Sequence, residues 1–359
     1  MSCRRLSTMP FAKSFYDPRT AGVPAFVRDD TWAFTPLANV LMATGKSGSC
    51  DRMPSFRGRE DKRYVISDKA SILEACKQMV HERLSFLVVV RPSIALGPKG
   101  NTVIGVATEH KYVQHGARKI EDVGDAERSA FLSGWSLSDS IYEIMTPTDR
   151  MIAVTQFDTV QHCVDLLEKK LFRYLPIVSP DDGSLRGILT VRDLLRPNSK
   201  PWGPIAHLWD GKPVEEILQE SAGGADGMRA LVEICSISQS RMVADAVVQM
   251  ARHSLNFLIV VDEANGGDVQ GVITERHYVT YGSKVSEREA SRTNSTTDGL
   301  ASIMTPRSEM LVAPAGMDGS RCLDVMLENN VRFMPVTNAE RTKFLGVLSL
   351  RDFLLPLWK

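Results

Sequence analysis

Apolar residues recur three to four positions apart in four segments of this chain, and each segment precedes a short run that is almost entirely apolar. The first pattern predicts a helix that buries one face, and the second predicts a strand that is covered on both sides. The helices are predicted at residues 72–80, 160–167, 243–250 and 322–326. The strands are predicted at residues 86–90, 174–178, 257–261 and 333–336.

A polar turn and a second strand follow each of these pairs, and the second strand always contains a glycine three residues before a threonine or serine. A hydroxyl in that place can accept a hydrogen bond from the first turn of a following helix. Each repeat therefore has the predicted order β-α-β-β-α. The glycine and hydroxyl residues are Gly105 and Thr108, Gly187 and Thr190, Gly271 and Thr274, and Gly346 and Ser349.

A unit of about 50 residues is too small for a robust core of its own, so we expect the repeats to pair. The predicted fold class is α/β (α+β), with four β-α-β-β-α repeats paired into two pseudo-twofold modules. A polar insertion at 115–142 separates the first two repeats. The predicted domains are an N-terminal extension at 1–60, a first pair at 61–196 (repeats 61–117 and 143–196), a linker rich in Pro and Gly at 197–230, and a second pair at 231–359 (repeats 231–284 and 302–356).

The charge and the reactive residues narrow the range of functions. The 359 residues include 43 Lys and Arg and 43 Asp and Glu, so the net charge is zero, which disfavours nucleic acid or an anionic membrane as the main partner. The sequence contains no apolar run of about 18 residues, so no transmembrane segment is predicted. The cysteines and histidines show no metal-ligand spacing, and no catalytic constellation is evident. We therefore predict a protein that is not an enzyme and that requires no cofactor or metal.

The first 28 residues are basic, rich in hydroxyl side chains and contain one acid, Asp17. This composition is typical of a mitochondrial or plastid presequence, although Pro10 would interrupt a long amphipathic helix. A cytosolic tail that binds a partner explains the same composition, so the location is left open between mitochondrial and cytoplasmic.

Several phrases recur at matching places in the repeats. Ile-Met-Thr-Pro stands ahead of repeats two and four, and similar phrases mark their strands and the starts of their last helices. The matching segments are 144–147, 175–178, 190–193, 303–306, 334–336 and 349–352. With these residues the chain resembles proteins of four cystathionine-β-synthase-type (CBS) domains in two tandem pairs, called Bateman modules. The resemblance covers roughly residues 60–196 and 230–356.

The resemblance implies binding of an adenosine-containing ligand, such as AMP, ADP, ATP, S-adenosylmethionine or a dinucleotide. It assigns the ribose to Thr190 and Asp193 in repeat two and to Ser349 and Asp352 in repeat four. A carboxylate can accept two hydrogen bonds from a vicinal diol. The equivalent residues in repeats one and three are Lys111 and His277, which cannot do so. We therefore expect at most one good ribose site in each module.

The same resemblance implies that each site borrows its adenine pocket from the other repeat of its pair. The expected adenine residues are Val65, Ile66 and Leu87 in repeat one and Ile237 and Leu258 in repeat three. The candidate phosphate contacts are Arg192, Arg351, Lys111 and His277. The alternative is that the hydroxyl and Asp residues only cap helices, which needs no ligand.

Two functions follow from this interpretation. The first is a regulator that senses an adenosine-containing ligand and modulates a partner protein. The alternative is a structural or assembly subunit of a larger complex, mitochondrial if the N-terminal residues are a presequence, in which partly degenerate nucleotide sites remain on a scaffold. A protein partner is expected in both cases. The modules could also form a homodimer, or they could face one another within a single chain.

Overall fold

A computed structural model describes residues 62–92, 101–122, 139–169, 174–181, 183, 185–192, 209–284 and 299–353. The predicted N-terminal extension, Asp193 and residues 123–138 of the predicted insertion lie outside the described residues. The helices are α1 (Ile72–His81), α2 (Glu109–Glu121), α3 (Val160–Lys169), α4 (Val214–Ala222), α5 (Ala225–Cys235), α6 (Val243–Arg252), α7 (Glu275–Ser283) and α8 (Gly319–Glu328). The strands are β1 (Val65–Ser67), β2 (Phe86–Pro92), β3 (Asn101–Thr108), β4 (Met145–Pro147), β5 (Tyr174–Val178), β6 (Leu185–Thr190), β7 (Ser236–Ser238), β8 (Phe257–Asp262), β9 (Asp268–Thr274), β10 (Thr305–Pro306), β11 (Ala313–Pro314), β12 (Phe333–Thr337) and β13 (Phe344–Ser349).

The predicted β-α-β-β-α order is confirmed in repeats one and three. In repeat one, β1 runs parallel to β2, β2 pairs antiparallel with β3, and α2 follows. Thr108 and Thr274 cap α2 and α7, because each side chain accepts a hydrogen bond from the backbone three residues later. Helix α2 extends to Glu121, so the first residues of the predicted insertion continue the last helix of repeat one. The fold class is mixed α/β, as expected.

The Ile-Met-Thr-Pro segments do not join the repeats that they precede in sequence. Strand β4 pairs with β3 of repeat one, and β10 pairs with β9 of repeat three. A Cβ atom on Gly105 would lie 2.5 Å from the carbonyl oxygen of Thr146, and one on Gly271 would lie 2.6 Å from that of Thr305. The recurring glycine therefore permits close approach of this added edge strand.

Helices join the two modules, whereas sheets join the repeats within each module. The helices of repeats one and three share one core, and repeats two and four share another with α4. Within the modules, Phe86 stacks on Tyr174 with ring centroids 4.2 Å apart, and Phe257 stacks on Phe333 at 4.4 Å. The modules thus face one another within a single chain, with equivalent repeats opposed.

A reciprocal contact fixes the crossing of α2 and α7. Tyr112 and Tyr278 occupy equivalent positions, are fully buried, and have ring centroids 5.0 Å apart. Each hydroxyl points at the equivalent glycine of the other helix: a Cβ on Gly116 would collide with the Tyr278 oxygen, and one on Gly282 would collide with the Tyr112 oxygen. Both glycines are therefore required by the neighbouring helix.

The segment that the sequence predicts as a linker contributes to the core. Helix α4 begins after Pro213 and ends at Gly223, which has φ of +76°, so these residues mark helix ends rather than an irregular connection. Val214, Ile217 and Leu218 are fully buried between repeats two and four. Leu218 packs directly over Gly346, and its Cδ2 would lie 2.8 Å from a Cβ there.

Substitution of Gly282 by Ala tests the crossing of the modules. Alanine favours an isolated helix by about 1 kcal/mol over glycine, but its methyl group would collide with the buried Tyr112 hydroxyl. We expect a net loss of about 1–3 kcal/mol in the free energy of unfolding, measured by chemical denaturation. Gly282→Ala combined with Tyr112→Phe should recover part of the loss. Gly316→Ala, which meets nothing within 4 Å, is the control; equal effects at both glycines would contradict the contact.

Substitution of Leu218 by Ala tests whether α4 is a structural element. Because this side chain is fully buried, we expect its truncation to lower the free energy of unfolding by about 2–5 kcal/mol. Gln219→Ala on the exposed side of the same helix should change it by less than about 0.5 kcal/mol. A neutral Leu218→Ala would show that α4 is only a tether.

Candidate functional site: a cavity at the junction of the repeats

A cavity of about 680 Å³ lies where the four repeats meet. Its apolar wall comes mainly from strands and the turns that precede them, and it includes Tyr64, Phe86, Ile188, Val272 and Phe333. Its charged side chains come from every repeat. The described arginines on the wall are Arg83, Arg192, Arg276 and Arg332, and the described glutamates are Glu109, Glu275 and Glu309.

The turn after the first helix of a repeat directs several of these residues to the cavity. Arg83 and Asn330 adopt left-handed φ values of 55° and 59°. Directly after them, the backbone N–H of Leu84 donates to the carbonyl of Met79, and that of Val331 donates to Met326. This geometry ends a helix sharply and satisfies one of its last carbonyls. It places Arg83, Arg332 and their neighbours at the cavity wall.

Glu109 is the charged centre of this wall. It begins α2, and only 1% of its surface is exposed. The Nε of Arg276 lies 2.6 Å from one carboxylate oxygen, and the Nη2 of Arg332 lies 3.3 Å from the other. This carboxylate of repeat one therefore holds arginines from repeats three and four.

Arginines also tie the repeats through backbone carbonyls. The guanidinium of Arg276 donates to the carbonyls of Met79 (2.6 Å) and Leu84 (2.5 Å) in repeat one. Burial lowers the pKa of Arg276, but an arginine stays protonated at neutral pH. Arg192 of repeat two donates to the carbonyl of Val331 in repeat four at 3.3 Å.

Glu275 is the counterpart of Glu109 in repeat three. It begins α7, is 2% exposed, and lies 2.6 Å from Nδ1 of His110. Thus in both repeats the residue after the glutamate reaches the glutamate of the opposite repeat. The pairs differ in that Arg276 lies on the cavity wall, whereas His110 does not.

His277, one of the predicted phosphate contacts, lies on the cavity wall as a neutral side chain. Burial first, and then the charge of Arg276, lowers its pKa to about 4. Its Nδ1 accepts from the backbone N–H of Thr274 at 3.1 Å, so the proton is on Nε2, which donates to Thr305 at 3.1 Å. Both ring nitrogens are engaged, which disfavours a cationic contact with phosphate; that role stays a prediction.

The other predicted phosphate residues are divided between the cavity and the rest of the protein. Arg192 lies on the cavity wall. Lys111 and Arg351 do not, and the Lys111 ammonium donates to Gln114 at 3.0 Å. The backbone N–H of Arg351 donates to the hydroxyl of Ser349. The positions of these residues do not test whether they contact phosphate, so that role stays a prediction.

The predicted ribose residues are placed very differently in the two modules. Thr190 lies on the cavity wall, and Asp193 is outside the described residues. Asp352 instead accepts the backbone N–H of Ser349 and the hydroxyl of Ser221 on α4, each at 2.5 Å. Burial raises the pKa of Asp352 against the lowering effect of these hydrogen bonds. In repeat four the carboxylate therefore caps its own turn and contacts α4.

The predicted adenine residues lie in the cores. Leu87 and Leu258 are fully buried between helices and sheets, and Ile66 and Ile237 are nearly so. Val65 packs beside the sheet of repeat one. None of these residues lines the cavity. The resemblance implied their role as an adenine pocket, and that role stays a prediction.

Glu109, Arg276 and Arg332 are not among the residues predicted from the sequence, because their partners are distant in the chain. A signal was present: the residue after the capping threonine is Glu in repeats one and three, whereas repeats two and four have Val191 and Leu350. A charge at a position that is apolar in the sister repeats indicates that the charged side chain has a partner within the fold.

Among the described residues, no cluster of His, Cys, Asp or Glu is arranged to hold a metal ion, and no helix is long and apolar enough to cross a bilayer.

The chain is similar to known proteins in sequence and in fold. The sequence model described as CBS domain matches residues 141–198 and 300–358. The crystal structure of protein MJ1225 from Methanocaldococcus jannaschii, proposed as an archaeal homologue of g-AMPK, has a TM-score of 0.64 and 18% identity; the match covers 83% of this chain and 97% of that one. This likeness shows the fold.

Two curated proteins are similar over a smaller part of the chain. The CBS domain-containing protein CBSX3, mitochondrial, of Arabidopsis thaliana is 23% identical over 173 residues, which are 48% of this chain and 69% of that protein. An uncharacterized 17.7 kDa protein of Acidianus ambivalens is 27% identical over 156 residues, or 44% of this chain and 77% of that protein.

The neutral state of His277 predicts a pH dependence of stability. Its folded pKa of about 4 lies below the ordinary value of 6.5, so the folded state binds fewer protons than the unfolded state between these values. The stabilisation is complete above pH 6.5 and is lost as the pH falls towards 4. As the pH falls over this range, we expect the free energy of unfolding to decrease more steeply for the native protein than for His277→Asn. The difference between the two slopes should be less than about 1.4 kcal/mol per pH unit. Parallel curves would contradict the assignment.

Proposed function

We propose that this chain, in which residues 141–198 and 300–358 match the CBS domain, is a non-catalytic regulatory protein that binds an adenosine-containing ligand, such as AMP, ADP or ATP, in the central cavity and modulates a protein partner. The observation that carries this proposal is the set of arginines on the cavity wall, which come from all four repeats. Guanidinium groups bind phosphate through charge-assisted hydrogen bonds, which are stronger than neutral ones. Thr190, a predicted ribose contact, lies on the same wall.

The position of the cavity explains how a ligand could act on a partner. Arg192 of repeat two donates to the carbonyl of Val331 in repeat four, so a phosphate that engages Arg192 competes with a contact between repeats. A ligand shifts a conformational equilibrium only if it binds one arrangement better than the other. Competition for this side chain supplies such a difference in affinity.

The fold is shared with protein MJ1225, which is proposed as an archaeal homologue of g-AMPK, and this likeness fits the proposed role. The basic N-terminal residues and the similarity to a mitochondrial plant protein support a mitochondrial location. S-adenosylmethionine and a dinucleotide such as NAD remain candidate ligands, because both contain adenosine.

The alternative, a scaffold or assembly subunit, is favoured by the state of the ribose positions. Asp352 is engaged by Ser221 and Ser349, Lys111 by Gln114, and His277 by Thr274 and Thr305. Side chains that are already satisfied within the chain are poorly disposed to bind a ligand. In this alternative the fold serves to present a surface to a partner.

Calorimetric titration of the full chain with AMP, ADP, ATP, NADH and S-adenosylmethionine tests the proposal. We expect saturable binding of at least one adenosine phosphate, weakened about tenfold or more by Arg192→Gln, because a charge-assisted hydrogen bond is lost. Arg229→Gln is the matched control, since that side chain is 80% exposed and lies outside the cavity.

Two further variants locate the ribose. Loss of binding in Asp193→Ala but not in Asp352→Ala would assign the ligand to the first module, and the reverse would assign it to the second. A well-folded full chain that gives no heat with any of these ligands would overturn the proposal. Co-purification with a stoichiometric partner would then support the scaffold.

A further inference from the structure

Glu109 has an environment unlike that of an ordinary surface carboxylate. It is almost fully buried, yet it lies on the wall of a cavity lined by arginines. Its two oxygens are engaged by Arg276 and Arg332. Removing a carboxylate from water is costly and must be offset by such partners, so the position of its charge is fixed.

The balance of charge in the cavity is close to even. Among the described residues on the wall, four arginines oppose three glutamates, and His277 is neutral at pH 7. Glu109 is the glutamate whose partners are themselves cavity arginines; Glu275 is paired with His110, which lies off the wall. The carboxylate of Glu109 thus occupies two cations that would otherwise face an anionic ligand.

We propose that Glu109 is a specificity-determining residue of this cavity: by occupying Arg276 and Arg332, it restricts the site to ligands with a single phosphate group and disfavours triphosphates. This inference rests on the proposed function, that is, on nucleotide binding in the cavity. It concerns the charge of the ligand that is accepted, which the family resemblance leaves open.

The physical reason is repulsion at short range. Interactions between charges strengthen as water is excluded, so a fixed carboxylate in a partly enclosed site repels phosphate oxygens more than one at the surface does. A monophosphate can use Arg83 and Arg192, which do not contact Glu109 in the described structure. A triphosphate carries more charge than these two side chains match, and its additional phosphates must displace Glu109 from its partners or lie beside it.

The chain offers a matched control for this residue. Glu275 is also the first residue of its helix, also follows a capping threonine, and is also nearly fully buried. Its described partner, His110, is not on the wall, and none of the described ion pairs joins Glu275 to a cavity arginine. Glu275→Gln therefore changes the net charge as Glu109→Gln does, without freeing the same cations.

Titration of the full chain with AMP and with ATP, in the absence of divalent cations, tests the inference. We expect the native protein to bind AMP at least tenfold more tightly than ATP. In Glu109→Gln this preference should shrink at least tenfold, mainly through tighter ATP binding. Glu275→Gln should shrink it by less than threefold.

An unchanged preference in Glu109→Gln, or an equal change in Glu275→Gln, would overturn the inference while leaving nucleotide binding intact. A native protein that binds neither nucleotide would overturn the proposed function as well. If Glu109→Gln fails to fold, Arg332→Gln provides the opposite test, because it keeps the Arg276 ion pair and leaves Glu109 less neutralised. It should widen the preference for AMP, and a narrower preference would contradict the proposal.

Discussion

Each repeat has a helical face that its own sheet does not cover, and burial of that face against the equivalent repeat of the other module is the constraint on which the rest of the molecule depends. In repeats one and three it brings α2 and α7 so close that only glycine fits opposite each tyrosine. Once the helices cross in this way, the turns after α1 and α8 and the start of α7 converge. The central cavity is thus a consequence of how the helices pack, and its charged residues are brought together by the same contact.

The elements themselves could be predicted because their signals are local. Helix α1 was expected at 72–80 and spans Ile72–His81, since apolar residues three to four apart must share a buried face. The pairing partner of β4 could not be predicted, because a strand of three residues shows no periodicity. The pairing with β3 depends instead on the close approach that Gly105 permits. The residues of α4 are predicted as part of a linker for the same reason: Gly223 and Gly224 indicate a connection, but the core that α4 fills comes from repeats two and four.

The candidate site was predicted only where the sequence repeats itself. Thr190 and Arg192 stand at positions marked by the recurring phrase, and both lie on the cavity wall, although their contact with a ligand is untested. Leu87 and Leu258 are fully buried in the core, and the adenine contact that the resemblance implies for them stays a prediction. Glu109 and Arg276 are neighbours only because the modules oppose one another, a fact of tertiary structure that no local pattern contains.

The pairing of β4 with β3 has a consequence for what counts as a unit of this protein. The stretch that matches the CBS domain from residue 141 begins with a strand that folds onto the preceding repeat, and the stretch from residue 300 does the same through β10. The boundaries recognised in the sequence are thus out of phase with the boundaries of the folded sheets. Cutting the gene between recognised repeats would therefore take an edge strand from one sheet and leave it attached to another.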